Sequence, residues 1–111
     1  MTMTRAIVTE DVIREMVRRL VQAIDPDRII LFGSWARGDA GPESDVDLLV
    51  IKPSQEPPHR RSIAAYRALT GLGIPKDIIW RTPDEIEDWL GVSNYVTTRA
   101  LAEGRVLYEK Q

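Results

Sequence analysis

The chain has 111 residues, 43% hydrophobic and 29% charged, with a formal net charge of −2. Those values fit one globular domain over residues 1–111 and give no overall pull toward nucleic acid or an anionic membrane. No apolar run nears the ~20 residues of a membrane helix, Met1–Arg5 lacks the apolar core of a signal peptide, and there is no cysteine. A cytoplasmic protein is expected, without disulfides or thiolate metal sites.

The first element is a helix over Thr9–Ile24, where Ile13, Met16, Val17, Leu20, Val21 and Ile24 recur at three- and four-residue steps. Thr9 is its expected N-cap, Glu10 and Asp11 suit its first turn, and Asp25-Pro26 stops it. Arg28–Phe32 reads as a short buried strand that ends abruptly at Gly33-Ser34. The stretch with Gly38, Gly41 and Pro42 leaves room for a helical turn or two. Asp45–Ile51 is the second strand, ended by Pro53.

From Pro58 to Thr70 a helix is expected with Ile63, Tyr66 and Leu69 on a narrow apolar edge, closed by Gly71 and Gly73. Lys76–Arg81 is a third strand. Thr82-Pro83-Asp84-Glu85 then opens a helix: Thr82 can cap, Pro83 suits the first helical position, and Glu85 can close a capping box. Ile86, Trp89 and Leu90 are expected to face inward, with Gly91 as the stop. A last helix over Ser93–Glu103, capped by Gly104, precedes a final strand at Arg105–Glu109. The pattern is that of one α/β (α+β) domain without repeats or linkers.

Asp45 and Asp47 draw attention because strand side chains alternate, placing both on one face roughly 6.6 Å apart at ~3.3 Å per residue. At an effective dielectric of 20, two such charges repel by about 2.5 kcal/mol. Asp47 is flanked by Val46, Leu48 and Leu49, so the repulsion falls in an apolar strand, and a divalent cation would reverse its sign. With one histidine, His59, and no cysteine, carboxylates would hold any metal, which favours magnesium or manganese. Taken alone, Asp45 also fits a solvated strand end. Gly33-Ser34 has two readings as well: a phosphate cradle at a helix start, or an ordinary strand-to-helix turn with Ser34 as N-cap. A P-loop does not fit, because Asp39-Ala40 stands where Lys-Ser/Thr is needed after Gly38.

Gly33-Ser34, ten intervening residues and Asp45-x-Asp47 together resemble the G-S-x10-D-x-D motif of the nucleotidyltransferase superfamily related to DNA polymerase β. The segment Phe32-Gly33-Ser34-Trp35-Ala36-Arg37-Gly38-Asp39 and the short length resemble its minimal (MNT) branch. The resemblance implies a polymerase β palm-like fold, a small mixed sheet flanked by helices. It further implies that Gly33 and Ser34 bind nucleotide phosphates and that Asp45 and Asp47 bind magnesium (or manganese). A third acid on a later strand, best matched by Asp77, would complete the metal site.

The activity implied is transfer of a nucleoside monophosphate, AMP from ATP, to a hydroxyl. The absence of an acceptor-binding domain points to a partner protein. Many minimal members are paired with a HEPN-domain toxin, on which they act as antitoxins by attaching AMP to a tyrosine. Two alternatives stay open: a small-molecule or RNA acceptor, and a non-catalytic nucleotide-binding or toxin-blocking module. Arg37 and Lys76 are candidate helpers near the phosphates. Arg60, Arg61 and Arg67 are most simply a solvated surface, so nucleic acid is not expected as a stable partner.

Overall fold

Helix α1 (Glu10–Ile24) begins where the Thr9 hydroxyl accepts the Val12 amide at 3.2 Å, with Glu10 and Asp11 beside the positive end of the helix dipole. It ends on Asp25, which takes the left-handed conformation at φ 47°. The computed structural model describes residues 8–41, 44–89 and 96–111. After α1 come β1 (Arg28–Phe32), α2 (Ser34–Arg37), β2 (Val46–Ile51), α3 (Pro58–Ala68), β3 (Lys76–Arg81), α4 (Pro83–Trp89), α5 (Val96–Glu103) and β4 (Arg105–Glu109). The expected inward positions of Trp89 and Leu90, the stop at Gly91 and the helix start at Ser93 lie outside what is described.

The strands form one sheet in the order β3-β2-β1-β4. β1 runs antiparallel to β2 and β4, while β2 and β3 are parallel, so the sheet is mixed as expected. Alternation sorts the side chains into two buried layers. Ile29, Leu31, Val46, Leu48, Val50, Ile78 and Trp80 join Ile13, Met16 and Leu20 of α1 and Ala65 of α3. Ile30, Leu49 and Ile51 meet Ala100 of α5 on the other face, with Phe32, Ile79, Ile86 and Leu101 packed around them. A strand covered on both faces needs no polar alternation, which is why β2 reads as a nearly unbroken apolar run. Each fully buried Leu or Ile contributes roughly 1.5–3 kcal/mol, so a charge inside this strand is conspicuous.

One expectation is corrected. Leu69 is buried as expected, but Ile63 and Tyr66 are 50% and 37% exposed, and α3 instead buries Arg61 and Ala65. The inward stripe runs through Arg61, Ala65, Ala68 and Leu69, at helical spacing, because small alanines let α3 approach α1 and β3 closely. Arg61 therefore does not belong to a solvated basic surface. Its guanidinium forks onto Glu85, with Nη1–Oε1 at 2.7 Å and Nη2–Oε2 at 2.9 Å. Glu85 also closes the capping box expected from sequence: Oε1 accepts the Thr82 amide at 2.8 Å, and the Glu85 amide donates to Thr82 Oγ1 at 3.2 Å. Gly104 ends α5 because its backbone passes against Ala100 and β1, where an added Cβ would overlap the Ala100 carbonyl and the Ile30 side chain.

Candidate active site

The turn between β1 and α2 starts from Gly33, whose φ of 72° and ψ of −154° fall in a region essentially restricted to glycine. A second constraint acts at the same atom. A Cβ on Gly33 would overlap the Asp47 carboxylate, so the acid occupies the space that a side chain here would fill. The two halves of the motif are thus in contact across the β1–β2 pair, where Phe32 is the register partner of Asp47. Ser34 is the first residue of α2 and Gly33 its cap residue, so the reading of Ser34 as N-cap does not hold. The Ala36 and Arg37 amides both donate to the Gly33 carbonyl at 3.1 Å.

Asp45 lies just before β2 and is exposed, whereas Asp47 is partly buried within the strand. Trp35 fastens this approach to α2 by donating its Nε1 proton to the Ser44 carbonyl at 3.3 Å. The Val46 amide donates to the Pro75 carbonyl at 2.9 Å, bringing the start of β2 beside the start of β3. In the parallel ladder that follows, Asp47 pairs in register with Asp77. Neighbouring strands lie about 4.8 Å apart, and side chains in register share a face. The structure therefore brings Asp45, Asp47 and Asp77 to one end of β2 and β3, on the α4/α5 side, next to Gly33.

The electrostatic consequence falls on Asp47. Burial raises its carboxyl pKa above the ordinary aspartate value, the charges of Asp77 and Asp45 raise it further, and Arg37 partly offsets them. Lys76 forms no ion pair with Asp77: alternation along β3 puts the two on opposite faces, and the Lys76 Nζ donates to the Ile74 carbonyl at 3.2 Å. The donors are all carboxylate oxygens, a hard set matched to magnesium or manganese, in a place where a cation would relieve the repulsion. Among the described residues no three acids converge closely enough to enclose an ion as they stand, so the carboxylates would have to draw together around one. With that adjustment the residues fit a divalent cation.

Beside Gly33 opens a pocket of about 180 Å³ lined by Phe32, Gly33, Arg37, Arg99, Ala100 and Glu103. Arg37, a helper candidate from sequence, stands at its edge and also pairs with Asp39 at 3.3 Å. Arg99 drew no notice in the sequence, since nothing local distinguishes a helical arginine facing a pocket from one facing water. A larger cavity, about 490 Å³, lies between α1 and β4 and contains none of the three aspartates. His59 is exposed in the first turn of α3, away from this chemistry as expected.

A mixed sheet with this motif at one end of two adjacent strands defines the nucleotidyltransferase fold. Comparison with known proteins agrees: the nucleotidyltransferase domain family matches residues 11–106, and the chain belongs to that family. A crystal structure of a candidate nucleotidyltransferase from Sulfolobus solfataricus superposes with a TM-score of 0.63 at 20% identity, covering 90% of this chain and 79% of that one. A toxin–antitoxin structure with AMP-PNP gives a TM-score of 0.64 at 21% identity, covering 94% of this chain and 76% of that one. The candidate protein adenylyltransferase MJ0141 of Methanocaldococcus jannaschii is 68% identical over 25 residues, which is 22% of this chain and 25% of that protein. The family and fold implied by Gly33-Ser34 and Asp45-x-Asp47 are the ones found. No helix among the described residues is long and apolar enough to cross a membrane.

Proposed function

We propose that the chain acts as a single nucleotidyltransferase domain that moves AMP from ATP to a tyrosine hydroxyl of a partner HEPN-domain toxin, as its antitoxin. The observation that carries the transfer reaction is the contact between Gly33 and Asp47, with Asp77 in register beside it. It joins a glycine turn suited to phosphates to a cluster of acids suited to a divalent cation. The protein choice of acceptor is supported by the adenylyltransferase relative, and the toxin by the toxin–antitoxin neighbour. A cytoplasmic location is consistent with a cysteine-free chain.

On this reading the Gly33 turn and Ser34 hold the terminal phosphates, with Arg37 at the pocket edge adding positive charge. Asp45, Asp47 and Asp77 hold magnesium or manganese, which when bound neutralises the triphosphate. Asp77, exposed at the sheet edge, is the acid best placed to take the proton of an incoming hydroxyl. The rest of the domain contributes position: the ladder fixes Asp47 against Asp77, and Trp35 fixes the segment that carries Asp45.

The test is intact-mass measurement of a HEPN partner incubated with the chain, magnesium and each nucleoside triphosphate. A gain of one or more AMP units, abolished in an Asp45→Asn/Asp47→Asn double variant, is the expected result. Inhibition of the partner by that double variant without any mass gain would replace the enzyme with a binding module.

A further inference from the structure

Tyr66 takes part in none of the steps above, yet its hydroxyl lies against the third acid. It projects from α3 to β3, an edge strand of the sheet, where the Ile78 amide donates to its oxygen at 2.9 Å. The same oxygen is 3.4 Å from Asp77 Oδ1. The direction of both bonds follows from the chemistry. An amide can only donate, so the hydroxyl oxygen accepts from Ile78 and its single proton is free for the carboxylate. The side chain stays 37% exposed, so hydrophobic burial does not account for its placement.

We propose that Tyr66 is a positioning residue that holds the Asp77 carboxylate ready for the metal–nucleotide site, an inference that rests on Asp77 being a metal ligand. Asp77 is exposed and is register partner to another acid, Asp47, so repulsion favours rotamers that turn it away from the cluster. Lys76, on the opposite face of β3, donates to the Ile74 carbonyl and forms no ion pair with Asp77. The Tyr66 hydroxyl engages Oδ1 alone, so the second carboxylate oxygen remains for a metal ion. Hydrogen-bond partners of metal-ligating carboxylates act in this way, fixing orientation so that binding need not select one rotamer from several. Tyr66 itself is fixed at its tip by an edge-strand amide, so its own freedom does not pass to Asp77.

The test measures Mn²⁺ binding in the presence of a non-hydrolysable ATP analogue, by the electron paramagnetic resonance signal of free Mn²⁺. It uses the full chain and its Tyr66→Phe, Asp77→Asn and Ile13→Val variants, with melting temperature recorded for each. Tyr66→Phe keeps the ring and is expected to weaken Mn²⁺ binding about tenfold, the lower end for loss of such a partner. Asp77→Asn is expected to weaken it at least as much. Ile13→Val, a core trim on α1, is expected to lower the melting temperature and leave Mn²⁺ affinity unchanged. Wild-type Mn²⁺ affinity in Tyr66→Phe beside weakened binding in Asp77→Asn would reduce Tyr66 to a cover for the strand edge. Wild-type affinity in Asp77→Asn as well would remove Asp77 from the metal site and overturn the proposal together with the reading beneath it.

Discussion

The two ends of β3 treat carboxylates in opposite ways. Past its C-terminal end, the Glu85 carboxylate is met by the buried Arg61 fork and by the Thr82 amide of the capping box, so its charge is balanced. That environment, led by the Arg61 hydrogen bonds, lowers its pKa from 4.5 to about 2. At the N-terminal end, Asp77 stands beside Asp47 with Asp45 close by, and Asp47 is shifted the other way, upward. One end uses charge to hold α3, β3 and α4 together. The other concentrates like charge where folding gains nothing from it. Charge that supports the fold and charge that works against it are thus separated along a single six-residue strand.

If that division is real, substitutions at the two ends should fail in different ways. Asp47→Asn is expected to lower nucleotide transfer about a thousandfold, the effect of losing roughly 4 kcal/mol of transition-state stabilisation. The same variant should melt about 4 °C higher in the presence of EDTA, because about 1 kcal/mol of repulsion and burial cost is removed. A lower melting temperature would show that the acid cluster also supports the fold.

Arg61→Ala should do the reverse. Leaving a partly buried carboxylate without its partner is expected to cost about 3 kcal/mol in urea unfolding. Transfer measured at low temperature, per folded molecule, should stay within about twofold of wild type. A large loss of transfer with unchanged stability would move Arg61 into the active site.

The smallest effect should appear in acid. A depressed carboxyl pKa contributes stability that is present above the unfolded value of 4.5 and lost as pH falls through about 2. The Glu85 side chain is 30% exposed, so solvent screening trims this contribution to on the order of 2 kcal/mol. Unfolding free energies compared at pH 5 and pH 2 should therefore fall more steeply for wild type than for Glu85→Gln. Parallel pH profiles would mean that Glu85 is solvated like a surface acid.

Much of the local architecture was legible because local rules set it. Thr9 capped its helix, Thr82 and Glu85 formed their box, and β1 and β3 fell where their apolar runs lay. The fixed spacing from Gly33-Ser34 to Asp45-x-Asp47 led to the family, since a motif is a property of the chain itself. The phase of α3 was not legible. Ile63 is more hydrophobic than Ala65 or Arg61, and Tyr66 carries a larger apolar surface than Ala65, yet the fit of α3 against α1 and β3 buried Ala65 and Arg61 instead. Arg61 became an interior residue because Glu85, 24 positions later, arrived within reach of it.

By its own pattern, then, the sequence determined the order of elements, the helix caps at Thr9 and Thr82 and the identity of the acids. Tertiary structure decided which of those acids meet. Register between β2 and β3 put Asp77 beside Asp47, and the strand pairing of β1 with β2 pressed Asp47 into the space left by Gly33. Contacts of that range depend on how whole strands align, which no window of sequence encodes.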